Sequence, residues 1–490
     1  MSRNNRRRFL EQSMFAAASV WAAEVALRRD EVVAQDAAPQ SKSPNETINV
    51  AVMGVNGRGA SHLDAFSGRK DTRVTKICDV DKAVGGRACE GTGKRQGGMV
   101  PQLEEDIRKV LDDKSIDVVS IATPNHWHSL GAIWAMQAGK DVYVEKPVSH
   151  NVFEGRSAVA AARRHKRICQ TGTQSRSSAG LREAIEWFKQ GELGALKVAR
   201  GLCYKRRKEI GPRGEYAVPA DVNYDLWCGP APMNPVTRPR FHYDWHWQWD
   251  FGNGDLGNQG IHQMDIARWF LGQNQLCNGV MSYGGRLGYK DAGETPNTQV
   301  VVHDYGTQTL VFEVRGLETP AYKDANVGVI LECENGYVVI GSYEAAVAFS
   351  PEGKEIKKFG GGGDHFANFV DACRSRNHSD LHADIEEGHL SSALCHLGNI
   401  SYRLGEQKSA TDTLKVVEGF KSNDKFKETF DRTMAHLIAN GVDTTTEKLQ
   451  AGVPLVFDGK AEKFPDNEAA NKMLTREYRK PYVVPGPNEV

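Results

Sequence analysis

Several things are missing from this 490-residue chain, and each absence excludes a class of function. There is no net charge: Lys+Arg and Asp+Glu each number 62, so no overall field draws the protein to nucleic acid or an anionic membrane. No run of 18 apolar residues marks a membrane span. The nine cysteines are odd in number and scattered, with no CxxC spacing. They fit neither a zinc site nor a disulfide framework and read as small core residues. The pair His126 and His128 has no nearby thiolate or carboxylate, so cofactor contact and helix-start packing explain it better than a metal. No internal repeat is present. A soluble, enzyme-sized chain of two or three domains remains.

The N-terminus stands apart. Arg6-Arg7-Arg8-Phe9-Leu10 matches the core of a twin-arginine export signal, and a weakly apolar stretch (14–23) and a polar linker follow. Glu11 and Glu24 depart from that pattern, and no clean A-x-A cleavage site appears, so a basic disordered tail is the competing reading. A working signal implies the twin-arginine machinery as partner and a periplasmic or otherwise exported protein. Without it the protein is cytoplasmic. That route carries folded protein, so a cofactor loaded inside would travel with it.

From residue 47 the pattern alternates strand and helix. Strands are predicted at 47–54, 74–81, 116–123, 141–145 and 168–173, and helices at 58–67, 102–114, 126–138 and 152–165, with a Gly-rich loop at 90–98. That alternation implies βαβ units and a parallel sheet with helices on both faces. Beyond about 175 the texture changes. A helix at 181–190 and a strand at 196–205 precede a long aromatic, proline-rich stretch. Strands then follow near 299–303, 308–315, 327–332 and 337–343 without intervening helices, the last two joined through Glu334-Asn335-Gly336. The fold class is α/β: an N-terminal Rossmann parallel sheet plus a C-terminal α/β domain with an open, largely antiparallel sheet. The expected organisation is 1–46 signal and linker, 47–175 nucleotide domain, 176–408 substrate and oligomerisation domain, and 409–490 extension. The extension reads as polar and irregular apart from a helix near 425–439. An open sheet face suggests a homo-oligomer, a dimer or tetramer.

Gly54-Val55-Asn56-Gly57-Arg58-Gly59 sits at a strand-to-helix turn. Asn56 replaces the middle glycine of a dinucleotide fingerprint, and asparagine tolerates left-handed backbone better than other non-glycines. Asp79 follows 20 residues after Gly59 at a strand end, where a carboxylate accepts bonds from ribose hydroxyls. It also repels a 2′-phosphate, favouring NAD over NADP, with Lys76 and Lys82 tempering the preference. Thr123, Pro124, Asn125 and His128 belong to a turn over the cofactor, Asn125 as a helix cap. Glu145-Lys146-Pro147 ends another strand at the crevice. A poorly solvated lysine beside an oxidised nicotinamide has a lowered pKa and exchanges protons.

Asn258, His262 and Asp265 fall at i, i+4 and i+7, a polar stripe on an otherwise apolar helix. Such a stripe needs partners or a ligand. The run Phe241-His242-Tyr243-Asp244-Trp245-His246-Trp247-Gln248-Trp249 suits a carbohydrate site, since flat aromatic faces bury sugar C–H surface. A core cluster joining the domains explains the run equally well. The basic stretch 203–213 suits an acidic sugar, and a solvated strand and loop more readily.

Taken together, GVNGRG, the Asp79 strand end, ATPNHWH, EKP, Gly172-Thr173-Gln174, WCGPAP and GNGDLGNQGIHQMD resemble the glucose-fructose oxidoreductase / inositol dehydrogenase (Gfo/Idh/MocA) family, over roughly 47–405. The resemblance implies hydride transfer between NAD or NADP and a ring hydroxyl of a sugar or cyclitol. It implies Lys146 and His262 as catalytic residues, with Gly54, Asn56, Gly57, Arg58, Gly59, Asp79, Thr123, Pro124, Asn125, His128, Glu145 and Lys146 at the cofactor. Asn258, Asp265, Trp245 and Gln174 are expected at the substrate. One departure matters: Asn258 stands where the family has an aspartate, and asparagine neither holds a charge nor accepts a proton. Three functions follow: a net dehydrogenase, a redox-neutral enzyme that cleaves glycosides through transient ring oxidation, and a non-catalytic sugar-binding protein. Intact Lys146 and His262 argue against the third.

Overall fold

The computed structural model describes residues 47–490, so the twin-arginine motif lies outside the described residues. The first sheet has six strands: β1 (Ile48–Met53), β2 (Thr72–Cys78), β3 (Gln102–Glu104), β4 (Val118–Ile121), β5 (Asp141–Val144) and β6 (Cys169–Thr171). Their order is β3-β2-β1-β4-β5-β6, and every pairing is parallel. All residues of β4 and β5 are buried, as helices on both faces of a parallel sheet require. The order of strand addition reverses between β1 and β4, which opens a crevice at the strands' carboxyl ends.

The second sheet has eleven strands. They are β7 (Leu196–Cys203), β8 (Gly279–Gly285), β9 (Thr298–Asp304), β10 (Thr309–Arg315), β11 (Val327–Cys333), β12 (Gly336–Ile340), β13 (Ala345–Phe349), β14 (Glu355–Gly360), β15 (Glu406–Lys408), β16 (Leu449–Ala451) and β17 (Leu455–Val456). The order is β14-β13-β12-β11-β7-β10-β9-β8-β16-β15, with β17 also on β8. Only β7 and β10 run parallel; the other pairs are antiparallel. Helices Gly260–Leu271 and Ile385–Arg403 bury one face. Helices Ala410–Glu418 and Phe426–Ala439 cover the other face over β8–β10 through Val417, Phe430 and Leu437. No described helix is long and apolar enough to cross a membrane.

Four expectations need correction. Residues 90–95 of the Gly-rich stretch predicted as a loop belong to helix Lys82–Arg95, where Gly85 and Gly93 let Leu103 and Val100 pack against helix backbone, and only the end of the stretch, with Gly97 and Gly98 at positive φ, is a turn. The charged segment predicted as one helix over 102–114 is a short edge strand, β3, and a short helix, Ile107–Asp112. Strands β8, β13 and β14 were not foreseen. The tail beyond 409 is more regular than its polarity suggested. It adds β16 and β17 to the second sheet and places Tyr482, Val484 and Val490 in the core beside the first sheet.

Candidate functional site

Between β1 and helix Arg58–Ser67, Gly54 (φ 79°) and Gly57 (φ 77°) take left-handed backbone, and Asn56 does not. The glycine beside Asn56, rather than Asn56 itself, makes the turn. A Cβ on Gly54 would lie 2.8 Å from the Thr123 backbone nitrogen, while one on Gly57 would meet nothing within 4 Å. Gly57 therefore leaves open space at a helix N-terminus that no side chain caps. The first N–H groups of that helix have no intrahelical acceptor, and their partial positive charge fits a pyrophosphate. Gly59, expected at the cofactor, has a different task. Its Cβ would stand 1.9 Å from the Gly54 carbonyl oxygen, so it is glycine for helix–strand packing.

The turn opens into a cleft along the carboxyl ends of the parallel strands, lined in part by Gly54, Asn56, Arg58, Asp79, Thr123, Pro124 and Lys146. One Asp79 oxygen accepts the Val55 N–H at 2.8 Å and the other accepts the Asp81 N–H at 2.9 Å. Burial pushes the Asp79 carboxyl above its ordinary value against those two bonds. Asp81, Glu105 and Asp106 line the same end. Lys76 pairs with Asp113 at 3.2 Å and Lys82 with Glu105 at 3.1 Å, and neither lysine lines the cleft. An acidic end of this kind accepts ribose hydroxyls and disfavours a 2′-phosphate, as NAD requires. Asn125 is not the helix cap: Pro124 occupies that position. The Asn125 amide instead donates to Asn253 Oδ1 at 2.9 Å. His128 Nδ1 and Nε2 lie 2.6 Å and 2.8 Å from the Pro147 and Thr123 carbonyl oxygens, so the histidine ties the β4 turn to the β5 strand end. His126 Nε2 meets the Trp227 carbonyl at 2.9 Å.

At the end of β5, Glu145 is a buried hub. Oε1 accepts from Arg58 Nε at 2.8 Å and Gln174 Nε2 at 3.1 Å, and His62 Nε2 lies 3.2 Å away. His62 Nδ1 in turn meets Ser120 Oγ at 2.8 Å. Burial alone would raise the Glu145 carboxyl, but the His62 hydrogen bond and the Arg58 guanidinium hold it well below the usual carboxylate range. Gln174 thus supports Glu145 from behind and is not part of the cleft lining, contrary to its expected place at the substrate. Lys146 Nζ donates to the main-chain oxygen of Asn258 at 2.9 Å, bridging the two domains. Burial lowers the Lys146 pKa, against the pull of Glu145.

The second domain supplies the facing wall. Asn258, Trp245, His246, His242 and Tyr243 line it. The Trp245 and His246 rings stack at 3.6 Å with a 20° tilt, and His242 Nε2 lies 3.1 Å from Asp81. Within the aromatic run, His242, Tyr243, Trp245 and His246 therefore face the cleft, while Phe241 packs against Trp227 and Phe251 in a core cluster that Trp245 also joins. His242 and His246 were not singled out from the sequence; their spacing within the aromatic run was the available signal. The polar stripe divides in the same way. Asn258 reaches the cleft. His262, beside Tyr343 at a ring distance of 5.2 Å, keeps a buried Nδ1 without a partner among the described residues. Burial and the neighbouring Lys146 push its pKa down to about 3. Asp265 is sealed away: Arg176 Nε donates to it at 2.8 Å and Ser391 Oγ at 2.7 Å, and it is 1 % exposed. The expected substrate contact is a core ion pair. Asp255, three residues before Asn258, is clamped by Arg207 at 2.6 Å and 2.8 Å.

Residues 48–173 match the family model of an oxidoreductase family with an NAD-binding Rossmann fold, and residues 207–433 match that family's C-terminal α/β domain. The chain is 30% identical over 178 residues to an alpha-N-acetylgalactosaminidase of Shewanella oneidensis, covering 34% of this chain and 38% of that one. It is 28% identical over 211 residues to a levoglucosan dehydrogenase of Pseudarthrobacter phenanthrenivorans, covering 41% and 47%. The matches thus span less than half of these curated relatives. In fold, the chain is similar to the WlbA dehydrogenase of Bordetella pertussis, solved with NADH and UDP-GlcNAcA. The TM-score is 0.55 at 19% identity, over 73% of this chain and 97% of that one.

Proposed function

Starting from a chain that belongs to the NAD-binding Gfo/Idh/MocA oxidoreductase family, we propose that it transfers a hydride between NAD and a ring hydroxyl carbon of a sugar, cyclitol or sugar derivative. The observation that carries this reading is the Lys146 ammonium. It lies at a parallel strand's carboxyl end, at the cleft, pointing across to Asn258 of the opposite domain. NAD, when bound, supplies the hydride acceptor or donor. The protein's own work is to hold the hydroxyl and move its proton. A lysine whose pKa burial has lowered is closer to the operating pH, and accepts the hydroxyl proton or stabilises the developing oxyanion. His262 is neutral at pH 7 with a pKa about 3, so it is the weaker base and serves as a hydrogen-bonding partner. The Asn258 amide binds a neighbouring hydroxyl, and the Trp245–His246 stack offers a flat face to the ring.

Levoglucosan dehydrogenase among the relatives supports net oxidation. The alpha-N-acetylgalactosaminidase favours a second reading, in which transient oxidation acidifies the neighbouring C–H, a glycosidic group leaves, and the ring is reduced again. One experiment separates them: purified protein with NAD and a panel of sugars and aryl glycosides, read for NADH and for released aglycone. NADH accumulation supports the dehydrogenase, aglycone without net NADH supports the second reading, and neither product sinks both. The Arg6-Arg7-Arg8-Phe9-Leu10 motif supports export of the folded, cofactor-loaded protein by the twin-arginine route to the periplasm. The partly exposed outer face of β12 and β13 supports a homo-oligomer.

A further inference from the structure

A second cavity shares no lining residue with the cleft. His150, Asn253, Trp249, His396, Arg403 and Arg476 line it, and Asn253 separates the two spaces. Its Oδ1 accepts from Asn125 on the cleft side, and its amide donates to the His150 carbonyl oxygen at 3.1 Å.

Two arginines and two histidines bring donors to this cavity. Arg476 Nη1 gives one hydrogen bond to the Asp250 carbonyl at 2.9 Å and lies 3.1 Å from His150 Nδ1. A guanidinium only donates, so His150 Nδ1 must accept and the ring is neutral with its proton on Nε2. That Nε2–H is buried and has no partner among the described residues, and neither has Arg476 Nη2. His396, 4 % exposed, takes part through Nε2 with Ser149 at 3.1 Å, leaving a buried Nδ1 equally without a partner. The Arg403 guanidinium lies 4.9 Å over the Trp249 ring. Nearby acids are engaged or peripheral. Glu154 accepts from the His150 N–H and the Asn151 amide at 2.8 Å and 2.9 Å, and burial pushes its pKa up to about 7. Asp250 accepts from Asn234 at 2.9 Å, and Glu477 is exposed. Buried donors left without acceptors cost free energy, and a ligand bearing acceptor oxygens removes that cost.

We propose that this cavity binds the oxyanion group, carboxylate or phosphate, of a small ligand, with Arg476 and His150 as its donors and Arg403 beside them. Arg pairs with either group through two parallel bonds. The site lies outside the cleft but shares a wall with it through Asn253.

The test is isothermal titration of full-length protein, saturated with NAD so that the glycine turn is occupied. The probes are inorganic phosphate, acetate and, as the uncharged control, acetamide, none of them a sugar the cleft would take, all at constant ionic strength. Phosphate or acetate is expected to bind and acetamide not. Binding by phosphate alone identifies a phosphate-bearing ligand, and by acetate alone a carboxylate. Arg476→Gln should weaken the anion at least tenfold. Because Arg476 also braces the backbone at Asp250, Arg403→Gln is the second arm if that variant does not fold. Absence of anion binding in the wild type, equal binding of acetamide, or anion binding unchanged in every folded variant overturns the proposal.

Discussion

Two buried acids invite comparison, Glu145 at the end of β5 and Asp265 within helix Gly260–Leu271. Each is held by an arginine at 2.8 Å, and each sits among polar residues that the sequence marked as functional. Their surroundings differ. The Arg58 side chain that holds Glu145 is 43% exposed at the cleft, whereas Arg176 beside Asp265 is 6% exposed. The first pair sits at the mouth of a parallel sheet, next to the lysine that crosses to the other domain. The second is locked between helices by Ser391. A buried ion pair is thus informative about chemistry when its edge opens onto a strand-end crevice, and about packing when it does not.

Substitutions sharpen that contrast. Lys146→Ala, beside the open pair, should lower kcat roughly 10³-fold in the hydride-transfer or glycosidase assay with little change in melting temperature; full activity would remove the proton-transfer role. Asp265→Asn removes one of the two carboxylates paired with the buried Arg176, leaving Glu387 at 3.0 Å, and should cost about 3 kcal/mol of stability by urea unfolding, while the folded fraction keeps its kcat. If stability holds and KM rises instead, the sealed pair belongs to the site after all. Glu145→Gln retains acceptors for Arg58 and Gln174, so its stability cost should be smaller, about 1–3 kcal/mol, with activity falling more than stability. Asp79→Asn should weaken NAD by about 1–2 kcal/mol, roughly tenfold, and narrow the preference over NADP, measured by titration of both. Near neutrality the smallest effect is that of pH. His126, His246, His262, His303 and His396 are each held to about 3 by burial. The unfolded chain takes up protons near pH 6.5 while the native one stays neutral, so stability should decline as pH falls from about 6.5 towards 3. A melting temperature flat or rising over that window would contradict the burial of these rings.

The sequence made the parallel sheet and its strand ends readable because two signals agreed there, apolar strands and turn residues at fixed intervals. Lys146, Asp79 and the glycine turn followed from that agreement. Helix Lys82–Arg95 was misread because glycine is a breaker by propensity, whereas Gly85 and Gly93 are there for contact with Leu103 and Val100. The edge strand β3 is three residues long and charged, too short to show a period of two. Asp265 shows the limit of periodicity: a spacing of i, i+4, i+7 fixes a helix face but not which neighbour meets it. His62, four residues after Arg58 and bonded to both Ser120 and Glu145, carried no signal beyond its place on the buried side of its helix.

The path of the tail has a consequence for synthesis. Trp127 packs edge-on against Tyr482 at 5.6 Å, and the Tyr482 hydroxyl donates to Asp225 at 3.0 Å. The nucleotide half, whose strands are made first, therefore waits for residues more than 300 positions later to close its outer layer. A ribosome emitting this chain from its N-terminal end holds an incomplete nucleotide half until the second sheet has been made, so that half closes only after its neighbour exists.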